Sequence, residues 1–322
     1  MKKTLIALLL LLSLLMLGCT EQDVRYDMYV TVYPLQYALE EILTDTGLTV
    51  GIVPGVTSHE DSVDWSPKEI IAMTEASLLF YVGANYDQYI DFQIESIFTN
   101  KDVELVKIED ETDYMTMIPG VIDDHDHEED IITSNEAALG IDPHFWISPK
   151  RLIDVSLLLF DKVVSKYPDL STKFTENYAA LILTLSDLDT AFTEIISSSN
   201  QVAMFSTNLY GYLREDYGLE YISISPGYHE ETEQFTTQEK EEIVNDAIFH
   251  NITYIIYEKN TTSPLSNAIF TELETLGYTP VKLEYDILQS LTDDDRNLGK
   301  DYVSIMYENL ELIKKALGFI ER

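Results

Sequence analysis

LSTKFTENYAALILTLSDLDTAFTEIIS (residues 170–197) is the segment around which the rest of the chain can be arranged. Tyr178, Leu181, Leu185, Leu188 and Phe192 recur at intervals of three and four, the spacing that lines one face of an α-helix, and no Gly or Pro interrupts them. At 1.5 Å per residue such a helix spans about 40 Å, the scale of a small domain, so it is expected to run along one side of two lobes and join them. A pair of helices with a bend between them is the alternative reading of the same residues.

On both sides of this segment, strand-like and helix-like stretches alternate. Upstream, residues 26–32 read as a strand ending at Tyr33-Pro34, 35–43 as an amphipathic helix closed near Gly47, and 48–53 as a strand. The turn-rich Pro54-Gly55-Val56-Thr57-Ser58-His59 follows, Ser66-Pro67 opens another helix, and 78–83 form a third strand. Downstream, strands are expected at 202–207, 221–225, 253–257 and 281–285, with helices at 209–214 and before Gly277. Alternation of this kind predicts an α/β fold of two lobes, each with a mostly parallel sheet flanked by helices. Ligands then belong in the loops at the carboxyl ends of the strands, and His59 falls in such a loop.

The chain has 322 residues, 45% of them hydrophobic, enough for a core in each lobe. Twenty Lys and Arg stand against 57 Asp and Glu, a net charge of -37, which repels phosphate backbones and argues against nucleic acid as a partner. The single cysteine, Cys19, excludes an intrachain disulfide framework and a multi-cysteine zinc knuckle, so any metal site must use His and carboxylate. Lys2 and Lys3, an apolar run over residues 5–17 broken only by Ser13, and Gly18-Cys19 together have the form of a secretory signal. The run is short for a membrane span of roughly 20 residues. Its end resembles a bacterial lipobox, with Met16 where that motif usually has Leu; acylation of Cys19 would tether an extracytoplasmic protein, each buried methylene adding about 0.8 kcal/mol.

Six histidines are present. His144 lies in Asp142-Pro143-His144-Phe145-Trp146-Ile147-Ser148-Pro149, where two prolines restrain the backbone and Asp142 is placed to orient the imidazole. The run Asp123-Asp124-His125-Asp126-His127-Glu128-Glu129-Asp130 has no apolar face and reads as a solvated loop, with or without a role in collecting metal. His250 follows an apolar stretch and reads as a helix end. There is no Gly-rich phosphate loop and no His-Glu-x-x-His pattern; Glu241/Glu242 and the acidic run 293–295 read as exposed charges, so an enzyme is not expected.

From about Tyr26 to Ala316 the chain resembles the metal-binding lipoproteins of ABC importers for zinc and manganese, the cluster whose lobes are joined by one long helix. Residues 54–67 are similar to that family's first ligand loop, Asp142-Pro143-His144-Phe145-Trp146 to its Asp-Pro-His-x-Trp signature, and residues 301–310 to its closing helix. The resemblance implies metal ligation by His59, His144 and, in Leu283-Glu284-Tyr285-Asp286-Ile287-Leu288, by Asp286. It departs at Ser206-Thr207-Asn208-Leu209-Tyr210-Gly211-Tyr212: the family has His or Glu where Thr207 stands, and a hydroxyl is a weak zinc donor. The fourth position is left to a water, a mobile carboxylate or a donated histidine, for which His229 is the nearest candidate.

The expectation is therefore a signal peptide over 1–18, an N-terminal metal-binding lobe over 19–165, a linking helix over 166–200 and a C-terminal lobe over 201–322. The resemblance implies a lipid-anchored, monomeric solute-binding protein that captures Zn2+, with Mn2+ as alternative cargo. It would deliver the ion to an ABC permease with its cytoplasmic ATPase. A metal-independent surface adhesin on the same fold, and a buffer using residues 123–130, are the rival readings.

Overall fold

A computed structural model describes residues 25–55, 63–120, 140–228 and 236–319. The first sheet contains β1 (Met28–Val30), β2 (Val50–Ile52), β3 (Leu78–Tyr81) and β4 (Glu104–Lys107), in the order β2-β1-β3-β4 with every pair parallel. The second repeats the arrangement with β5 (Ala203–Phe205), β6 (Tyr221–Ser223), β7 (Tyr254–Glu258) and β8 (Val281–Tyr285), in the order β6-β5-β7-β8. In each sheet the chain leaves the second strand of that order toward one side and returns on the other, which opens a crevice between the two central strands. Helices supply the crossovers: α1 (Tyr33–Ile42) and α2 (Pro67–Thr74) in the first lobe, and α5 (Gly211–Tyr217), α6 (Thr237–Phe249) and α7 (Pro264–Thr275) in the second, with α3 (Pro149–Lys166) and α4 (Ser171–Ser197) between the sheets and α8 (Tyr302–Ala316) closing the chain.

Ser171–Ser197 forms one unbroken helix, α4, so the bent-pair alternative is not what the chain adopts. Its buried face carries Phe174, Leu181, Leu185, Leu188, Phe192 and Ile196, each contributing roughly 1.5–3 kcal/mol of apolar transfer. That face packs on α1 and α3 of the first lobe and on α5 and α8 of the second. Asn177 on α4 donates to the carbonyls of Ile42 (2.9 Å) and Thr44 (2.7 Å), satisfying backbone acceptors that the end of α1 leaves open. Tyr178, partly buried, stacks on Phe160 of α3 at 4.5 Å.

The α/β alternation stands as expected, with two additions. β4 and α3 were not anticipated: Glu104 and Lys107 interrupt the apolar signal of an edge strand, and α3 lies directly behind the His144 signature. The start of α2 follows the Ser66-Pro67 reading, with a capping box in which Ser66 N–H donates to Glu69 at 2.7 Å and Glu69 N–H to the Ser66 hydroxyl at 3.4 Å.

The lobes share one continuous core that includes Val30, Phe80, Trp146, Leu185, Phe205, Ile256 and Tyr302. Hydrogen bonds cross it: Trp146 Nε1 to Ile287 O (2.8 Å), Tyr302 hydroxyl to Trp146 O (2.7 Å), Tyr33 N–H to Gln289 O (3.0 Å) and Tyr212 hydroxyl to Asp142 O (2.9 Å). Asp216 on α5, its side chain 1% exposed, receives Arg151 (Nε to Oδ2, 2.8 Å) and the Ser148 hydroxyl (2.7 Å) from the start of α3. Among the described residues no helix is long and apolar enough to cross a membrane.

Candidate metal site in the interlobe cleft

His144 begins a single turn of 3-10 helix, Phe145–Ile147, and is fully buried. One oxygen of Asp142 performs two tasks there: Oδ1 accepts the His144 backbone N–H at 2.9 Å and lies 2.9 Å from Nδ1. A carboxylate facing Nδ1 selects the tautomer protonated on that nitrogen and leaves Nε2 as the one able to donate a lone pair. Pro143 fixes the short link between the two residues, so the orientation read from the sequence is present in the fold. Around the imidazole stand Tyr228 (ring centroids 4.7 Å), Trp146 (5.5 Å) and Tyr86 (6.1 Å).

The approach of Tyr228 depends on a glycine. A Cβ at Gly120 would lie 2.2 Å from the Tyr228 hydroxyl and 2.9 Å from the Asp142 backbone nitrogen. Gly120 and Asp142 belong to a short antiparallel contact in which Gly120 N–H donates to Gly140 O and Asp142 N–H to Ile118 O. Gly211, at the start of α5, brings the second lobe equally close, since its Cβ would sit 3.0 Å from Asp142 Oδ2.

From the second lobe come the carboxyl ends of β5, β7 and β8. Thr207 is 3% exposed, and among the described residues its hydroxyl has no hydrogen-bond partner. Gln289 hydrogen-bonds to Tyr86 through its side chain. Asp286 follows β8, and Asn309 of α8 grips its backbone on both sides, at 3.0 Å to the N–H and 2.7 Å to the carbonyl. Its carboxylate is already engaged: Oδ2 lies 2.8 Å from Lys259 Nζ, and Oδ1 accepts Leu288 N–H at 2.9 Å. Lys259 also meets Asp295 at 3.1 Å; burial works against its charge, but the hydrogen bonds it donates to Asp286 and Asp295 hold the ammonium above its usual range. Glu258, the last residue of β7, is 9% exposed; burial, reinforced by the charge of Asp286, pushes its carboxyl up to about 7.

Two positions beyond His144, Trp146 donates through Nε1 to the carbonyl of Ile287, the residue next to Asp286, at 2.8 Å. His59, Cys19, the run 123–130 and His229 lie outside the described residues. Among the described residues, no group of three or more His, Cys, Asp or Glu side chains is arranged to hold an ion. His250 is the residue that ends α6, as its context reads. Sequence reading passed over Glu258, Gln289, Tyr86 and Tyr228. The signal available for Glu258 was a carboxylate closing the apolar strand Tyr-Ile-Ile-Tyr-Glu in a parallel sheet.

Residues 28–316 match the family described as zinc-uptake complex component A, periplasmic. The chain belongs to that family. That family's description is of a periplasmic component of zinc uptake, not of an enzyme. It is 28% identical over 325 residues to the zinc-binding lipoprotein AdcA of Streptococcus pneumoniae strain R6, an alignment covering 98% of this chain and 61% of that protein. With the high-affinity zinc uptake system protein ZnuA of Bacillus subtilis it shares 23% over 299 residues, 89% of this chain and 86% of the other. The Zn(II)-bound ZnuA-like domain of S. pneumoniae AdcA superposes with a TM-score of 0.70 at 25% identity, covering 91% of this chain and 99% of the domain. The chain therefore has the lobe arrangement of these proteins while spanning about three fifths of the length of the AdcA relative.

Proposed function

We propose that this protein captures a divalent metal ion, zinc in preference to manganese, in the cleft between its lobes and delivers it to an ABC permease energised by a cytoplasmic ATPase. The observation that carries the reading is the buried imidazole of His144, held by Asp142 with Nε2 as its donor nitrogen. Imidazole suits zinc, and a carboxylate on its far nitrogen raises its basicity as a ligand. His59 supplies the second imidazole in this proposal and Asp286 a carboxylate from the opposite lobe. For Asp286 to bind, its Oδ2 trades the Lys259 ammonium for the ion, and Asp295 keeps the lysine neutralised.

Capture requires no reaction. Protein ligands replace the ion's hydration, and selectivity comes from the number and geometry of ligands. A preference for zinc is also supported by the names of the AdcA and ZnuA relatives. An acyl group on Cys19 would keep the protein at the membrane surface, close to the permease, and a monomer suffices for both tasks.

Titration calorimetry on metal-stripped protein tests the reading. Tight zinc uptake at one site is expected, greatly weakened in His144→Ala. Absence of any zinc or manganese heat in the folded wild-type protein would refute it.

A further inference from the structure

Lys259 is brought to Asp286 by the backbone as well as by charge. β7 and β8 pair in parallel with Glu258 opposite Tyr285, and the ladder runs one step further, because Lys259 N–H donates to Tyr285 O at 2.8 Å. Lysine and aspartate therefore leave the ends of adjacent strands together. The aspartate is held in place: Asn309 grips its N–H and carbonyl, and Oδ1 accepts Leu288 N–H at 2.9 Å. That last bond closes a tight turn in which the buried Leu288 adopts a left-handed φ of 58°, uncommon for a residue with a Cβ. Oδ1 is thereby committed to the backbone, and Oδ2 is the oxygen left to meet a cation. Lys259 Nζ lies 2.8 Å from it.

The lysine has a second carboxylate within reach. Asp295 Oδ2 is 3.1 Å from Nζ, and Asp295 is tied to the start of the helix Asp293–Asn297, where the Thr292 hydroxyl donates to Oδ2 at 2.7 Å and Asp295 N–H donates to the Thr292 oxygen at 3.1 Å. The Asp286 side chain is 17% exposed and that of Asp295 9%, so the ammonium has an outer partner and an inner one. With Asp295 beside it, Lys259 stays compensated when Asp286 is given up. A divalent ion and the ammonium at the same oxygen would be like charges a few ångströms apart, and their repulsion makes the two occupancies compete.

We propose that Lys259 sets the affinity of the site as a resident counter-cation: its ammonium competes with the divalent ion for Asp286 Oδ2 and passes to Asp295 when the ion binds. The inference rests on the metal-capture reading, with Asp286 as the second lobe's carboxylate, and adds what regulates its grip. Competition of this kind weakens capture. It also speeds release through the same contact, since the lysine is at hand to take Asp286 back as the ion leaves. For a protein that must surrender its cargo, a competitor fixed to the chain works at any concentration.

Lys259→Met tests this, because it keeps much of the side chain's length and removes its charge. Zinc affinity of the full chain is measured by competition with a chromophoric chelator, and release by stopped-flow transfer to the same chelator. The pair is more sheltered than a surface ion pair and less than a buried one, so its loss should tighten zinc binding about tenfold and slow release. Lys300→Met removes an equal charge that lies 3.7 Å from Asp295 and, among the described residues, makes no bond to Asp286; it should leave affinity within about threefold of wild type. Asp295→Asn leaves the lysine to Asp286 and should weaken binding about threefold or more, which gives an answer even where the methionine variant does not fold. Binding in folded Lys259→Met that is weaker than wild type or within about threefold of it, an equal gain in Lys300→Met, or unimpaired binding in Asp295→Asn overturns the role of Lys259 and leaves metal capture standing. Wild-type protein that takes up no zinc overturns the metal-capture reading, and this inference with it.

Discussion

Replacing Asp142 by Ala separates two jobs done by one carboxylate oxygen. Oδ1 accepts the backbone N–H of His144 and faces Nδ1 of the same residue, both at 2.9 Å, in a place where Asp142 is 2% exposed and His144 fully buried. Without it the His144 N–H has no acceptor, and an unsatisfied buried donor costs about 1–3 kcal/mol, which should appear as a lower urea midpoint of the metal-free protein. The imidazole also loses the group that fixes its tautomer and basicity. Losses of this kind weaken metal binding about 10–100-fold, roughly 1.4–2.7 kcal/mol, and this should appear in a zinc competition titration. Asp142→Asn divides the effects: its amide oxygen can still accept the backbone N–H, so stability recovers, while the missing negative charge keeps zinc affinity low. Zinc affinity in Asp142→Ala within about twofold of wild type, measured on a variant shown to be folded, would refute the argument that Asp142 sets the donor nitrogen of His144.

Arg151→Met leaves Asp216 buried at the lobe junction with only Ser148 and the more distant Lys150 (3.4 Å) as polar partners from α3 and its N-cap; a cost near the lower end of about 3–5 kcal/mol is expected in urea denaturation, and no loss would show the pair to be idle. The pH dependence of the metal-free protein follows from two buried carboxyls. Burial pushes Asp87 up to about 6, against hydrogen bonds from Thr31, Gly83 and Val82 that lower it, and pushes Glu258 up to about 7. Both folded values lie above the ordinary carboxylate range near 4, so the folded state holds protons that the unfolded chain has released. Stability is therefore lost as pH rises through that window, by up to about 1.4 kcal/mol per pH unit for each group. The urea midpoint should be lower at pH 8 than at pH 5; a midpoint that holds or rises would contradict the burial of these groups.

Local pattern was enough to establish the long α4, because its apolar face repeats within a few residues and nothing in it breaks a helix. Strand–helix alternation likewise fixed parallel sheets, and Pro143 beside Asp142 and His144 fixed the imidazole's holder, since the three are adjacent in the chain. What lay beyond reach was the company that distant residues keep. Phe205 and Ile256 become neighbours only through the pairing of β5 with β7, 51 positions apart, and that register depends on crossover helices rather than on either strand alone. Asp286 reads as a bare carboxylate in sequence, yet the fold turns Lys259 onto it, because β7 and β8 run side by side and end together. The order in which strands lie, and so which charges meet, is set by packing two faces of a sheet at once. Periodicity along the chain carries the faces but not the neighbours.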